Sequence, residues 1–273
     1  MSAEGSAVVC VGLATVDSIF ALPRHPRAED RVVAAELAVA GGGPAATAAV
    51  TLARLGVTVA FVGAVGDDSA GAAIRDGLAA EGVDVSNVAI VAGARSAQST
   101  ILVTGAERAI VHYPGTAALA PSASAIERMR TADWVHADHV GYTVVPDGVR
   151  LSVDGGNPTP GLDLSRLALY APTAESISVD PREVEAELVV VTRGAQGCTA
   201  YTADGQMIEA AAAPLDDLVS TLGAGDVFHG ALLAGFVRGL PLAEALGFAN
   251  RVAALSCRAL DGRSAIPTLE EVE

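Results

Sequence analysis

Lysine is absent from this chain: all 17 basic residues are arginine, among 273 residues with a formal net charge of −15. A Walker P-loop needs a Gly-Lys-Ser/Thr segment, a protein-kinase fold needs a strand lysine, and Schiff-base aldolases and pyridoxal enzymes need a reactive lysine. The sequence excludes these classes, so a bound phosphate must be held by backbone amides, arginine or a metal ion. A nucleic-acid partner is not expected either, because phosphate backbones are gripped by clustered cations.

Cysteine and aromatic residues are scarce as well. The three cysteines are far apart, lack metal-binding spacing and are interpreted as buried thiols of a reduced protein: Cys10, Cys198 and Cys257. The first seven residues carry no basic side chain, which does not fit a signal peptide. The apolar stretch 37–53 contains three glycines and Pro44, which would break a membrane helix. We therefore expect a cytoplasmic protein without a membrane partner.

The order of strand-like and helix-like segments predicts an α/β fold. Short β-branched runs alternate with helical patterns, which is the rhythm of parallel strands joined by crossover helices. The predicted strands are 7–14, 57–65, 134–140 and 188–192, and the predicted helices are 44–55, 69–81, 225–238 and 242–260. Pro44 and Gly56 fit the start and the end of the first helix, and Ser69 is the expected cap of the second. Between 140 and 188 the chain is rich in Pro, Gly and Asp and has little room for full helices.

Two regions depart from this rhythm and predict a second, smaller sheet. Segment 31–39 and the pair 99–103 and 109–113 have the pattern of exposed strands, and 104–108 joins the pair as a hairpin-like connection. We interpret the chain as one domain, 1–273, in which segments of about 15–40 and 96–114 form a lid over the active cleft. Exposed strand edges on such a lid favour pairing with a second copy, so a homodimer through the lid is expected.

The segment that indicates chemistry is Ser220-Thr-Leu-Gly-Ala-Gly-Asp226, which precedes an apolar helix. The first amides of a helix lack internal partners, and the helix dipole favours a negative charge beside them. Gly223, Ala224 and Gly225 place no bulky side chain there, so these amides can converge on a phosphate oxygen. Asp226 would accept a proton from an attacking hydroxyl next to that anion. Taken alone, the motif is equally compatible with an aspartate that only complements the helix dipole.

Four segments in the same order, spanning almost the whole chain, resemble the ribokinase-like (PfkB) carbohydrate kinases. They read GGGPAA (41–46), GAVGDD (63–68), VTRGAQG (191–197) and TLGAGD (221–226), the last followed by Phe228, Gly230 and Ala231. Three segments look like the sulfofructose kinase branch of that family: GGGPAATAAV (41–50), GAGDVFHGAL (223–232) and Gly262-Arg263 with Ile266-Pro267. The resemblance implies a three-layer α/β/α fold with a mostly parallel central sheet and a small β-sheet lid. It also implies an ATP-dependent sugar kinase that uses Mg²⁺.

The resemblance assigns residues to three parts of the active site. Asp226 would be the catalytic base, and Gly223, Ala224 and Gly225 would form the anion hole. The nucleotide would lie along Thr192, Gly194, Gly197, Thr221, Asn250 and Gly262. The sugar would meet Asp17, Gly42, Gly43 and Thr47, where the wider family usually has Asn in place of Thr47. On the predicted lid, Arg31, Arg108 and His112 are further substrate-binding candidates, because arginine suits a phosphate or sulfonate group.

Three departures from the family pattern leave questions open. Ser220 stands where the family usually has an aspartate that helps to bind a monovalent cation. The magnesium motif is not recognisable, and Glu175 is the nearest candidate ligand. The chain is also short around 146–153 and 177–187, where the family has helices.

Histidines also invite a metal interpretation. A site built from His136, Asp138 and His139 is disfavoured because, in a strand, residues 136 and 138 face one side and residue 139 faces the other. His229 is interpreted as a packed or lid-facing residue and not as a second base.

The leading hypothesis is transfer of the γ-phosphate of ATP to a hydroxyl of a small sugar, with a ketose or an anionic ketose derivative as the expected acceptor. A nucleoside kinase is the first alternative, because the same fold hosts both activities. A sugar-binding protein that has lost catalysis is the second. The departures at Ser220 and Glu175 and the shortened segments favour that reading, while the intact segment 223–226 opposes it.

Overall fold

The computed structural model describes residues 7–105 and 107–273, and this part of the chain contains two sheets and six α-helices. The strands are β1 (Val8–Val11), β2 (Thr15–Ala21), β3 (Glu36–Gly42), β4 (Val59–Gly66), β5 (Asp84–Val91), β6 (Gln98–Thr104), β7 (Glu107–Tyr113), β8 (Trp134–Ala137), β9 (Leu151–Asp154), β10 (Leu167–Ala171), β11 (Leu188–Thr192), β12 (Cys198–Thr202) and β13 (Met207–Ala210). The helices are α1 (Pro44–Arg54), α2 (Ser69–Ala80), α3 (Ala123–Thr131), α4 (Ala224–Val237), α5 (Leu242–Ser256) and α6 (Leu269–Val272). None of the described helices is both long and apolar enough to cross a membrane.

The larger sheet has the strand order β13-β12-β11-β10-β9-β8-β1-β4-β5. Strands β5 to β11 in this order are parallel, and β12 and β13 add an antiparallel edge. The central strand β1 is buried along its whole length, which explains its uninterrupted apolar sequence VVCV. The predicted mostly parallel α/β sheet is confirmed. Its carboxyl-terminal edge is where sites form in such sheets.

One face of this sheet is covered by α1, α2, α4 and α5, whose buried side chains form a single core with it. Helix α4 packs closely on α1 because Gly230 has no side chain: a Cβ there would lie 2.6 Å from the carbonyl oxygen of Ala48. This close packing fixes the position of the first turn of α4. Because that turn contains Asp226, the small residues of the helix interface position the site.

The opposite face has less helical cover. Among the described residues, α3 is the α-helix in its core, and the short 3-10 turns Tyr142–Val144, Leu164–Arg166 and Pro181–Glu183 complete the layer together with loops. This agrees with the expectation that the proline- and glycine-rich stretch 140–188 has little room for full helices. The core persists because loop residues such as Leu162 and Ile177 pack on the sheet.

The smaller sheet has the order β3-β2-β6-β7. Strand β2 pairs antiparallel with β3 and parallel with β6, and β7 forms the outer antiparallel edge. Its inner face buries Ile19, Ile101 and Val103 against Leu260. Its strands lie in the segments of about 15–40 and 96–114 that were predicted for the lid, except that β3 continues to Gly42.

Several predicted boundaries are wrong for identifiable reasons. Residues 31–34 are not a strand, and β3 begins five residues later than expected, at Glu36. Helix α2 is capped by Asp68, which accepts from the backbone N–H of Gly71, and not by Ser69. The predicted 104–108 connection includes Ala106, which lies outside the described residues. Strands β2, β5, β9, β10, β12 and β13 were not predicted. Strands β9, β10, β12 and β13 have only four or five residues, too few to give a clear periodicity, whereas β2 and β5 were missed although they have seven and eight residues.

Candidate active site

The glycine turn before α4 leaves backbone amides available. Gly223 adopts a left-handed conformation (φ 73°), and Ala224 N, predicted to face the anion, instead donates to the carbonyl of Thr221 at 3.3 Å. Within the described residues, the N–H groups of Gly223, Gly225 and Asp226 have no hydrogen-bond partner. These are the unsatisfied donors that a helix start presents to an anion. A Cβ built at Gly225 would meet no atom within 4 Å, so the space beside these donors is open.

Asp226 is partly accessible in the first turn of α4. Its pKa is raised well above the ordinary value of 3.8, first by burial and then by the nearby carboxylates of Asp154 and Asp138. Arg263 and Arg108 oppose this effect electrostatically. A carboxyl group held in this way is a stronger base than a surface aspartate, which suits proton abstraction from a hydroxyl.

Arg263, close to the C-terminal end of the sequence, has a buried guanidinium group that contacts residues of β3 and α1. Nη2 donates to the carbonyl of Gly42 at 2.6 Å, and Nε donates to Oγ1 of Thr47 at 3.1 Å. Burial lowers the pKa of Arg263 to about 10, against the raising influence of Asp17 and Asp226. Sequence analysis had placed Arg263 only in a family-like terminal segment. The hydroxyl of Thr47, predicted to meet the sugar, accepts a hydrogen bond from Arg263 in this structure.

Asp17 and the glycines of β3 form a second polar group beside Arg263. The hydroxyl of Thr15 donates to Asp17 at 2.7 Å, and Asp17 is only 8% exposed. A Cβ at Gly42 would lie 1.9 Å from Oδ2 of Asp17, and Gly43 has a φ of 92°. Glycine is therefore required at both positions. The structure brings these three predicted sugar-binding residues together.

The smaller sheet places His112 and Arg108 on the same face as Asp17. Register pairs Asp17 with Ser99 and Ser99 with His112, so these side chains form one cross-strand row. Nδ1 of His112 lies 3.2 Å from the Ser99 hydroxyl. Arg108 reaches further and donates from Nη1 to Oγ1 of Thr221 at 3.0 Å. Arg31 is exposed in the loop before β3 and has no hydrogen bond among the described residues.

The segments predicted for the nucleotide differ in accessibility. Thr192 ends β11, and a Cβ at Gly194 would meet no atom, so the chain there is open. Gly197 packs against the backbone of residues 210–212, which leaves no room for a Cβ atom, so glycine is required at this position. The side chain of Asn250 donates to the carbonyls of Ala210 and Ala211, both at 3.0 Å, and therefore ties α5 to the sheet edge.

Gly262 packs beside the glycine turn, since a Cβ at Gly223 would lie 3.1 Å from the Cα of Gly262. The buried Ser220 hydroxyl accepts from Leu222 N at 3.2 Å. Glu175 is exposed in the turn after Thr173, which bridges Thr192. The metal candidate Glu175 therefore lies near the predicted nucleotide segment.

Asp138 has a structural role at the carboxyl end of β8. Its fully buried carboxylate accepts from the backbone N–H groups of Leu13, Ala45, Val140 and Gly141 at 2.8–3.3 Å. Burial raises its pKa, and these hydrogen bonds oppose the rise. The Asp138 carboxylate therefore holds the loops around β8 together through the backbone.

Asp154, at the end of β9, is a site residue that sequence analysis missed. It is 4% exposed and lies under α4, where its Oδ1 is 3.8 Å from Nδ1 of His229. The aspartate ends a four-residue buried strand, and that short strand was its only sequence signal. Behind it, His136 contacts the Ser152 hydroxyl at 3.0 Å, and burial lowers the pKa of His136 to about 3.

Comparison with known proteins gives a consistent family. The chain matches the family described as pfkB family carbohydrate kinase over residues 6–152 and 172–269. It is 28% identical to a ribokinase of Bacillus subtilis, over 97% of this chain and 98% of the relative. It is 30% identical to the ATP-dependent ribose-1-phosphate kinase of Halopiger xanaduensis, over 97% and 96%.

A solved structure gives the same fold. The crystal structure of a ribokinase from Cryptococcus neoformans in complex with ADP covers 98% of this chain and 99% of its own, with a TM-score of 0.83 and 21% identity. The predicted ribokinase-like fold with a small second sheet is thereby confirmed. The sulfofructose kinase branch stays a prediction, since the relatives named above carry other substrates in their names.

Proposed function

Because the chain belongs to the pfkB family of carbohydrate kinases, we propose that it transfers the γ-phosphate of ATP to a hydroxyl of a small sugar, with Asp226 as the base. One observation carries this proposal: the amides of Gly225 and Asp226, which have no partner in the part of the chain that the structure describes, stand beside a carboxylate whose pKa is raised. Together they supply an anion site and a proton acceptor at the same helix start.

Each of these groups has a different role in the proposed reaction. The sugar hydroxyl gives its proton to the Asp226 carboxylate while its oxygen forms a bond to the γ-phosphorus. The bond from that phosphorus to the bridging oxygen breaks, and ADP leaves. The helix-start amides stabilise negative charge on the transferred group. Arg263, held by Gly42 and Thr47, keeps a positive charge near Asp226 and Asp17.

Magnesium fits this site as the partner of the nucleotide phosphates. Mg²⁺ prefers oxygen ligands and retains several waters, so it needs few protein groups. The exposed Glu175 carboxylate, beside the Thr192 edge, is the residue we propose for it. The ion would neutralise phosphate charge. Thr192, Gly194, Thr221 and Gly262 would border the nucleotide, whereas Gly197 and Asn250 support its pocket through packing and backbone contacts.

The acceptor we propose is a ketose or an anionic ketose derivative. Asp17 and the backbone of Gly42 and Gly43 would bind sugar hydroxyls, because a carboxylate is a strong acceptor. Arg108 and His112 face the same cleft from the smaller sheet and suit an anionic substituent. The name of the Halopiger relative, a ribose-1-phosphate kinase, supports an anionic sugar as a substrate class.

The outer face of the smaller sheet is proposed to pair with a second copy of the chain. Register places Val39 and Val111 in one row on this face, and each is 66% exposed, with Leu37 beside them at 56%. Contiguous apolar exposure of this kind marks contact surfaces. Light scattering should give a dimer mass, and Val39→Asp with Val111→Asp should give monomers; a wild-type monomer at micromolar concentration contradicts the pairing.

The function is tested by ADP formation with Mg²⁺ and ATP across ketoses, sugar phosphates, sulfosugars and adenosine. We expect turnover that depends on a sugar. Turnover with adenosine alone would make the protein a nucleoside kinase, and sugar binding without ADP formation would make it a binding protein.

A further inference from the structure

Three side chains of different elements meet beneath the first turn of α4. Asp226 and His229 come from α4 and Asp154 from the end of β9, and one ligand atom of each lies within 4.8 Å of the others. Asp154 also accepts from Gly156 N at 2.7 Å through Oδ1. It lies in the stretch 153–171, between the two segments that match the family. In the kinase reaction described above, neither Asp154 nor His229 contacts the reacting groups, although Asp154 contributes to the raised pKa of Asp226.

The imidazole of His229 lacks a partner in this arrangement. The residue is 3% exposed, and neither ring nitrogen has a hydrogen bond among the described residues. Buried polar groups are normally satisfied, so each exception needs an explanation. The distance of 3.8 Å from Nδ1 to Asp154 is too long for a hydrogen bond. A ligand placed between His229 and the two carboxylates would satisfy the ring and offset the repulsion of the acids.

We propose that Asp154, Asp226 and His229 form a binding site for a divalent first-row transition-metal ion such as Zn²⁺, Co²⁺ or Mn²⁺. One imidazole with two carboxylates is a donor set for these metals, whereas Mg²⁺ takes oxygen ligands. With metal–ligand distances of about 2.0–2.2 Å, tetrahedral donors are roughly 3.4 Å apart, so small side-chain shifts complete the site.

The site shares Asp226 with the proposed base. A metal on this carboxylate occupies the oxygen lone pairs that would accept the proton of the sugar hydroxyl. Micromolar transition metal should therefore inhibit phosphoryl transfer in the presence of excess Mg²⁺. This consequence rests on the proposed function, whereas the binding itself does not.

Cobalt titration without ATP and sugar tests the binding directly. The protein is used without a histidine tag, and the visible absorption of bound Co²⁺ reports imidazole and carboxylate ligation. We expect about one equivalent in the wild type, with affinity weakened at least about tenfold in both His229→Asn and Asp154→Asn. His25→Asn, in the loop between β2 and β3, is the matched control and should bind as the wild type does.

Folding is checked for each variant by circular dichroism and thermal unfolding, and two ligand variants are used so that one unstable protein does not decide the result. Wild-type affinity in a folded His229→Asn, no bound cobalt in the wild type, or displacement by millimolar Mg²⁺ would overturn the site. Cobalt binding in a protein without kinase activity would uphold the site and reject the proposed function. Kinase activity without cobalt binding would reject the metal site and uphold the proposed function.

Discussion

Arg108 on the outer strand of the smaller sheet donates a hydrogen bond of 3.0 Å to the hydroxyl of Thr221, four residues before Gly225 at the start of α4. This bond joins the smaller sheet to the glycine turn across the cleft. Arg108 also lowers the pKa of Asp226 electrostatically, as the last of several influences. The two parts of the site are therefore coupled through one arginine on a strand that is exposed along its whole length.

Replacing Arg108 with alanine should weaken sugar binding more than it weakens catalysis. The guanidinium group links the smaller sheet to the site and is a candidate partner for an anionic substituent, so KM for the sugar should rise about tenfold, equivalent to ~1.4 kcal/mol. Glu107→Ala is the matched control, since neighbouring strand residues face opposite sides. Steady-state kinetics of both variants decides this, and equal KM values in R108A and E107A would refute it.

Replacement by alanine should mainly lower stability at Gly223 and mainly lower activity at Gly225. Gly223→Ala forces a left-handed conformation and a contact with Gly262, which should cost about 1–2 kcal/mol of stability. Gly225→Ala meets no atom of the protein, so stability should be kept while its methyl group enters the anion space and lowers kcat at least about tenfold.

Gly247→Ala is the control for both glycine variants, because its site in α5 is open and lies outside the active site. It should gain up to about 1 kcal/mol from helix propensity and keep full activity. Urea unfolding and turnover are measured on all three proteins. An active Gly225→Ala would show that the amides beside residue 225 do not hold the phosphoryl group.

Thr47→Val should destabilise the protein without a change in shape. The valine removes the oxygen that accepts from Nε of Arg263 and leaves a buried charged donor unsatisfied, which costs about 1–3 kcal/mol. Thr51→Val, one turn on and fully buried, loses only a bond to the Thr47 carbonyl and should cost about 1 kcal/mol or less. Urea unfolding compares them; equal costs would mean that Arg263 does not depend on Thr47.

The ionisation of Asp226 should lower the stability of the folded protein as pH rises. Its pKa is raised in the fold, so the folded state binds more protons than the unfolded state above the ordinary value of 3.8. Stability then falls with increasing pH until the folded-state pKa is passed. Asp226→Asn removes this effect and should be more stable than the wild type at pH 8, with the advantage shrinking on acidification. An advantage that grows at low pH would contradict the raised pKa.

Much of the framework could be predicted from sequence because glycine, proline and helical periodicity are local signals. The start of α1 at Pro44 and the span of β11 were predicted correctly. The helix start alone predicted an anion site at the amides of Gly223, Ala224 and Gly225; in the structure the Ala224 amide is bonded to Thr221, and the amide of Asp226 is without a partner among the described residues. Strands of four or five residues such as β9 could not be identified, because they are too short to give a periodicity.

Side chains whose roles depend on contacts between distant parts of the chain could not be predicted from the sequence pattern. Arg263 is more than 200 residues from Thr47, and nothing local indicates that its guanidinium fills the space beside Gly42. His229 was correctly expected to be packed, but the carboxylate of Asp154 opposite it could be found only in the structure.

Sugar-dependent ADP formation by the wild type and by Asp226→Asn, with Mg²⁺ and ATP, tests the central proposal most directly. Loss of the proton acceptor should lower kcat by about 10²–10⁴-fold, while circular dichroism shows an intact fold. An Asp226→Asn protein that phosphorylates the same sugar within a factor of about ten of the wild-type rate would contradict Asp226 as the base.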